Sequence, residues 1–194
     1  TNYDQYQNLF SAMIEDWRES WGYEFPFYYV QIAPFTEEGN VGVREAQRKT
    51  LETTENTGMV VLMDIGERDD IHPHNKQDVG KRLALLALDK DYGFNFVSSG
   101  PLYKKHRAEG KFLYVDFDGK GSGLKFINGK NGFEIAGNDN KFYPATAEIV
   151  DNKIRVYSKN VKNPKNVRYG WRNWTVGTLF NKEGLPASSF SSIN

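Results

Sequence analysis

The sequence predicts an α/β unit followed by an all-β unit, with the change of character near residues 93–100. Before that point, amphipathic helical spacing alternates with short, almost continuous apolar runs, the pattern of parallel strands covered by helices on both faces. From Lys111 onward the apolar period shifts toward two, and Gly, Asn and Asp clusters separate the segments, as in antiparallel strands joined by turns. No internal repeat or low-complexity run interrupts either part, so the division is residues 1–93 and 94–194.

Tyr3, Tyr6, Phe10, Met13, Trp17 and Trp21 fall on one helical face and predict a helix over 4–21, with Gly22 as its stop. PFYYVQIAP, residues 26–34, is too short for a buried helix and reads as a buried strand. VREAQRKTLETTE, 43–55, contains strong helix formers. GMVVLMDIG, 58–66, reads as a second buried strand. After DDIHPHNK, 69–76, the stripe Val79, Leu83, Leu86 and Ala87 marks a third helix ending near Tyr92, with Gly93 as its C-cap. Residues 94–106 read as a short linker, implying that the two parts pack together, and Lys104, Lys105, His106 and Arg107 as a solvated basic loop. KFLYVDF, GLKFING, GFEIAG, AEIV and KIRVYS then follow as strands of a β-sandwich or jelly roll, with Asp151-Asn152 as a hairpin turn.

Composition narrows the function. Across 194 residues, 39% hydrophobic content supports a packed core, and 25 basic residues cancel 25 acidic ones. That balance argues against a nucleic-acid or anionic-membrane partner held by bulk charge. Cysteine is absent, so no disulfide framework or thiolate chemistry is available. No apolar run approaches membrane-spanning length, and no secretory signal is visible in this stretch. Two strands and three helices do not complete a doubly covered parallel sheet, so a companion polypeptide or an oligomer is expected to cover the remaining edge.

The 69–76 segment concentrates the chemistry. Asp69 stands three residues ahead of His72, a spacing at which a carboxylate can reach the far imidazole nitrogen and fix its tautomer for proton abstraction. The loop leaves the carboxyl end of the 58–66 strand, where open α/β sheets bind ligands. Two other readings stand beside this one. His72 and His74 can be plain loop residues stiffened by Pro73, with Asp69, Asp70 or Asn75 capping the next helix; or His-X-His with its acids can ligate a divalent ion. Trp171, Trp174 and Tyr169 offer flat surfaces for stacking a sugar ring or for packing the core.

DIHPHNKQDVGKRLA resembles the histidine block of SGNH-type carbohydrate esterases, especially the sialate O-acetylesterase family and its bacterial polysaccharide-deacetylating relatives. MIEDWRESWG, PFYYVQIAPF, VREAQRKTLE, GFEIAGNDNKFYPATAEI, VRYGWRN and LFNKEGLPASSF resemble that family in the same order, so the similarity covers nearly the whole chain. The resemblance implies the C-terminal half of an SGNH-hydrolase-like parallel-sheet domain followed by an antiparallel β-sandwich or jelly roll. It implies hydrolysis of O-acetyl esters on sugars, 9-O-acetyl sialic acid or related, by a serine whose proton a histidine takes while serine and glycine amides and an asparagine side chain hold the oxyanion. His72 would be that base, with Asp69 as its orienting carboxylate and Asp70 or Asp64 as alternatives. Gln31 and Arg44, in the cluster with Glu45 and Gln47, would reach the active-site rim, unless their role is buried hydrogen bonding.

The family's serine, glycine and asparagine blocks have no match here. Ser98, Ser99, Ser122 and the serines of SSFSS, 188–192, lack the strand-to-helix context of that nucleophile. The missing blocks are therefore expected on an N-terminal half, on the same precursor or an associated chain, and this chain alone is expected to be inactive. The resemblance implies no cofactor and no metal, an acetylated sugar or polysaccharide as substrate, no membrane insertion, and a periplasmic or secreted setting. The competing readings are a non-catalytic carbohydrate-binding or structural β-sandwich fragment, and an acetylxylan esterase-type specificity.

Overall fold

The computed structural model describes residues 3–130 and 132–193. Helix α1, Tyr3–Trp21, ends where Gly22 takes a left-handed φ of 75° and its amide bonds back to Arg18 O at 2.8 Å, a glycine stop that a side chain would strain. Strands β1, Phe27–Val30, and β2, Thr57–Val60, pair in parallel with Phe27 opposite Thr57. Helix α2, Asn40–Thr53, joins them, and α3, Lys76–Lys90, follows. Because side chains alternate across a strand, Tyr29, Met59, Val61 and Met63 pack on one face with Phe10 and Leu51. Val60 and Leu62 pack on the other with Val79, Leu83 and Leu86. The apolar runs at 26–34 and 58–66 are longer than the paired strands: the first runs on past Val30, where Gln31 N still donates to Val60 O at 2.8 Å, and the second enters a turn at residues 63–65, where Met63 O accepts from Gly177 N at 2.7 Å.

The rest of the chain is antiparallel. Strands β3 (Leu102–Glu109), β4 (Phe112–Asp118), β8 (Thr146–Val150) and β9 (Lys153–Tyr157) form one four-stranded sheet in the order β3-β4-β9-β8. Strands β6 (Phe133–Ala136), β7 (Tyr143–Pro144), β10 (Asn166–Tyr169) and β12 (Phe190–Ser191) form another in the order β12-β10-β6-β7, and β5 (Leu124–Phe126) pairs with β11 (Leu179–Asn181). Leu113, Val115 and Phe117 of β4 and Ile154 and Val156 of β9 share one core with Phe133 and Ile135 of β6, Val167 and Tyr169 of β10 and Phe190. Asp151 and Asn152 take φ of 49° and 54° between β8 and β9, the left-handed pair of a tight hairpin turn.

Residues 94–106 are not all linker. The chain is strand from Leu102, and the basic run lies inside β3, whose residues Lys104, Lys105 and Arg107 are exposed. β3 is the edge of its sheet, where charged side chains block pairing with another chain. An edge strand solvated on both sides shows no apolar alternation, which is why it reads as loop. His106 is fixed there, with Tyr103 OH at 2.7 Å from Nδ1 and Lys165 O at 2.8 Å from Nε2.

Phe190 is fully buried, stacked on Tyr103 with centroids 4.4 Å apart and edge-on to Phe117 at 5.8 Å. Phe190→Ala should lower the unfolding free energy in urea by about 3–5 kcal/mol, whereas Phe96→Ala, at a position 47% exposed, should stay within about 0.5 kcal/mol.

Candidate active site

The loop from β2 to α3 is held at both ends. At its start, Asp64 takes two hydrogen bonds from Arg82 of α3, at 2.8 and 2.6 Å, and Arg82 also donates to Val61 O at 2.7 Å. At its end, Asn75 caps α3, its Oδ1 accepting from Asp78 N at 3.1 Å, so the helix-cap reading holds for Asn75. Between them, Asp70 Oδ1 accepts from the His72 amide at 2.8 Å, an Asx turn that shapes the loop. Pro73 is buried beneath.

The His72 side chain is 83% exposed, and its Nδ1 lies 3.7 Å from Asp70 Oδ1. That separation is too long for a hydrogen bond but within range of attraction to an imidazolium. The Asp69 carboxylate is exposed and makes no hydrogen bond to His72 among the described residues. Both Asp64 oxygens are taken up by Arg82. None of the described serines hydrogen-bonds to His72: Ser98 donates to Asp89 Oδ2 at 2.6 Å, Ser99 to Gly100 O at 3.0 Å, and Ser188 to Ser189 O at 2.9 Å.

Sequence reasoning missed Glu67. Its Oε1 accepts from the His74 amide at 2.7 Å, and its two oxygens lie 2.8 and 2.9 Å from His74 Nδ1. A contact spanning seven loop residues follows no periodicity, so no spacing rule announces it. Glu67, Asp70 and His74 are the described residues whose ligand atoms could share a cation, all within 4.8 Å of one another. The Glu67 and His74 atoms are already committed to each other, and the set leaves out His72.

Gln31 and Arg44 are brought to each other rather than to the histidine loop. Gln31, fully buried just past β1, donates to Arg44 O at 3.0 Å and Ser188 Oγ at 2.8 Å, while its Oε1 has no donor among the described residues. Arg44 is also fully buried. Its Nε donates to Ser189 Oγ at 3.2 Å, Nη1 to Asn173 O at 3.1 Å and to Asn40 Oδ1, and Nη2 to Gly170 O at 3.4 Å and to Arg172 O. Burial lowers its pKa to about 10, which still leaves a cation at neutral pH. Glu45 beside it is raised by burial, against the pull of its Arg48 partner at 2.9 Å.

A carbohydrate acetylesterase from Xanthomonas citri superposes with a TM-score of 0.92 and 40% identity, covering 99% of this chain and 47% of that one. The sialate O-acetylesterase of Mus musculus is 28% identical over 89% of this chain, and the Homo sapiens enzyme of the same name 35% identical over 54% of it. The chain is similar to proteins named sialate O-acetylesterase and to a carbohydrate acetylesterase of known structure. It spans less than half the length of these relatives, 37% of the mouse protein and 24% of the human one. No family model matches it.

The Glu67–His74 pair closes the loop around His72. Hydrogen bonds from the His74 amide and ring hold the Glu67 carboxyl below the usual carboxylate range, and the Glu67 carboxylate raises His74 above the ordinary imidazole range. The His74 contribution is complete below its unfolded value and is lost as pH rises through its folded one. The Glu67 contribution is complete above its unfolded value and is lost as pH falls through its folded one. The clasp is therefore tightest between the ordinary values of 4.5 and 6.5. In an NMR titration His74 should show a midpoint above 6.5, and Glu67→Gln should return it toward that value; an unchanged midpoint would remove the clasp.

Proposed function

We propose that this chain is the base-bearing C-terminal part of a serine carbohydrate esterase that hydrolyses O-acetyl esters on sugars, 9-O-acetyl sialic acid or a related ester. The observation that carries this is His72, exposed on a stiffened turn beyond the carboxyl end of β2, in a chain whose relatives are named acetylesterases. A serine from the N-terminal half attacks the acetyl carbonyl while His72 accepts its proton. His72 then gives that proton to the departing sugar hydroxyl, and water repeats the sequence to release acetate and restore the serine. Residues 1–93 serve as the C-terminal part of the SGNH-type domain and 94–194 as a β-sandwich or jelly-roll domain, in a periplasmic or secreted enzyme.

The fold supports a companion half. Among the described residues β1 pairs with β2 on one side and with no strand on the other, and such an open edge calls for cover. Tyr92, Phe94 and Phe96 stand 72%, 52% and 47% exposed, with the two phenylalanine rings stacked at 5.7 Å. The longer relatives have room for that half.

Asp69 is the orienting carboxylate by its three-residue spacing, while Asp70 holds the turn. The 3.7 Å approach of Asp70 to His72 favours Asp70 as the second reading. Arg44 supports the substrate rim from beneath through the 170–173 carbonyls it holds, and Gln31 braces the Arg44 backbone.

The chain alone should not hydrolyse an aryl acetate, and adding the N-terminal half as a separate chain should create activity on aryl acetates and acetylated sugars. His72→Ala in the pair should cost at least about a thousandfold in kcat. Asp69→Asn should cost up to about 10⁴, with Asp70→Asn milder; the reverse order would move the role to Asp70. An inactive pair, or full activity without His72, would sink the esterase reading.

A further inference from the structure

Beyond β10 the chain turns at Gly170, φ 59°, where an added Cβ would meet Met63 Cε at 2.8 Å. The following loop carries Trp171, Arg172 and Trp174. With Phe133, Glu134 and Ala145 these line a cleft of about 440 Å³, within the usual range of small-ligand sites.

Four features define what it would take. Both indoles are half-buried and expose part of their surface to the cleft. Neither indole N–H has a hydrogen-bond partner among the described residues, and neither does the exposed Arg172 guanidinium. Glu134, with a side chain only 14% exposed, is fixed by Arg168 Nε at 2.9 Å. The loop itself is rigidly seated: Arg44 holds the carbonyls of Gly170, Arg172 and Asn173, while Asn173 accepts from Phe35 N at 3.1 Å and Val41 N at 3.3 Å.

Flat apolar faces beside unpaired donors and an anchored carboxylate match a pyranose ring, which has a C–H face and a rim of hydroxyls. A purely apolar ligand would bury those polar groups unpaired. The cleft also lies on the right end of the molecule. Phe35 and Val41 follow β1, and Gly177, just beyond the loop, bonds to Met63 after β2. The loop is thus pinned to the carboxyl end of the parallel pair, from which the His72 loop also departs.

We propose that the Trp171–Trp174 cleft is a subsite for sugar residues of the carbohydrate chain, the indoles stacking on ring faces while Glu134 and Arg172 fix substituents. As a part of substrate recognition it rests on the esterase reading, but sugar binding is measurable without turnover. Arg172 accepts either a hydroxyl or a sugar carboxylate, so a neutral and an acidic oligosaccharide are the two probes.

The chain has four tryptophans, and the other two, Trp17 and Trp21, sit exposed on α1, so the indole N–H region of a ¹⁵N spectrum carries its own control. Single Trp→Phe variants assign the signals. Titration with xylohexaose or with sialyllactose should shift the Trp171 and Trp174 signals saturably and leave Trp17 and Trp21 in place. Trp174→Ala should weaken binding about tenfold, and Arg172→Gln should weaken sialyllactose alone if the bound sugar is acidic. No shift with either sugar, shifts confined to α1, or a Trp174→Ala chain that is folded and binds as tightly as the parent would overturn the subsite. Because the readout needs no catalysis, an inactive reconstituted pair that still shifts these indoles would sink the esterase reading and leave the subsite standing.

Discussion

The buried guanidinium of Arg44 is the constraint on which the geometry of both parts depends. A charge removed from water is tolerated only when its donors are satisfied. Arg44 spends its donors on Asn40 and Ser189 side chains and on three carbonyls of the loop after β10. Gln31 adds a second bridge, from β1's end to Ser188. These contacts tie α2 and the parallel pair to the antiparallel part, and with the Met63–Gly177 backbone bond they set how the two sheet systems meet. Removing the cation would leave its carbonyl partners short of donors in a dry interface, each at a cost of about 1–3 kcal/mol.

The same bridge sets the functional layout. In a parallel pair both strands run out at one end, so the segments after β1 and β2 emerge together. One carries Gln31, Phe35 and the start of α2; the other carries Asp64 and the histidine loop. Arg82 fastens the second to α3, and Arg44 fastens the tryptophan loop to the first. The histidine loop and an aromatic cleft thus reach one end of the molecule from different halves of the sequence, without any direct bond between them among the described residues.

Local signals in the sequence were legible where one residue type has one use. Helix α1, the Gly22 stop, the Asp151-Asn152 turn and strands β4 and β9 follow from periodicity and from residues that tolerate positive φ. Strand β3 was not legible, because a charged edge strand has no buried face to alternate with. The short strands β7, β11 and β12 make sense only once partners from distant sequence are known. In the site, the residue types around His72 were visible, but Asp64 turning to Arg82 and Glu67 reaching His74 depend on where α3 lands. Arg44 looked equally suited to substrate or to burial, and only the positions of the 170–173 carbonyls distinguish its contacts. Tyr169, for which sequence left stacking and core packing open, is core: it is 1% exposed, and its hydroxyl accepts from the Thr178 and Leu179 amides at 2.7 and 2.9 Å.

The exposure of His72 has a physical consequence under the esterase reading. A base in acyl transfer works best where water is excluded, since oxyanion donors act far more strongly in a low-dielectric site. An imidazole 83% exposed lacks that setting within this chain. The wall that desolvates it would come from the companion half that covers the open side of β1. Covering that edge satisfies its unpaired backbone groups as well, so one docking event would both complete the sheet and close the site. Assembly and activity would then rise together, and a base that is solvated in the isolated part would do no hydrolysis until its partner arrives.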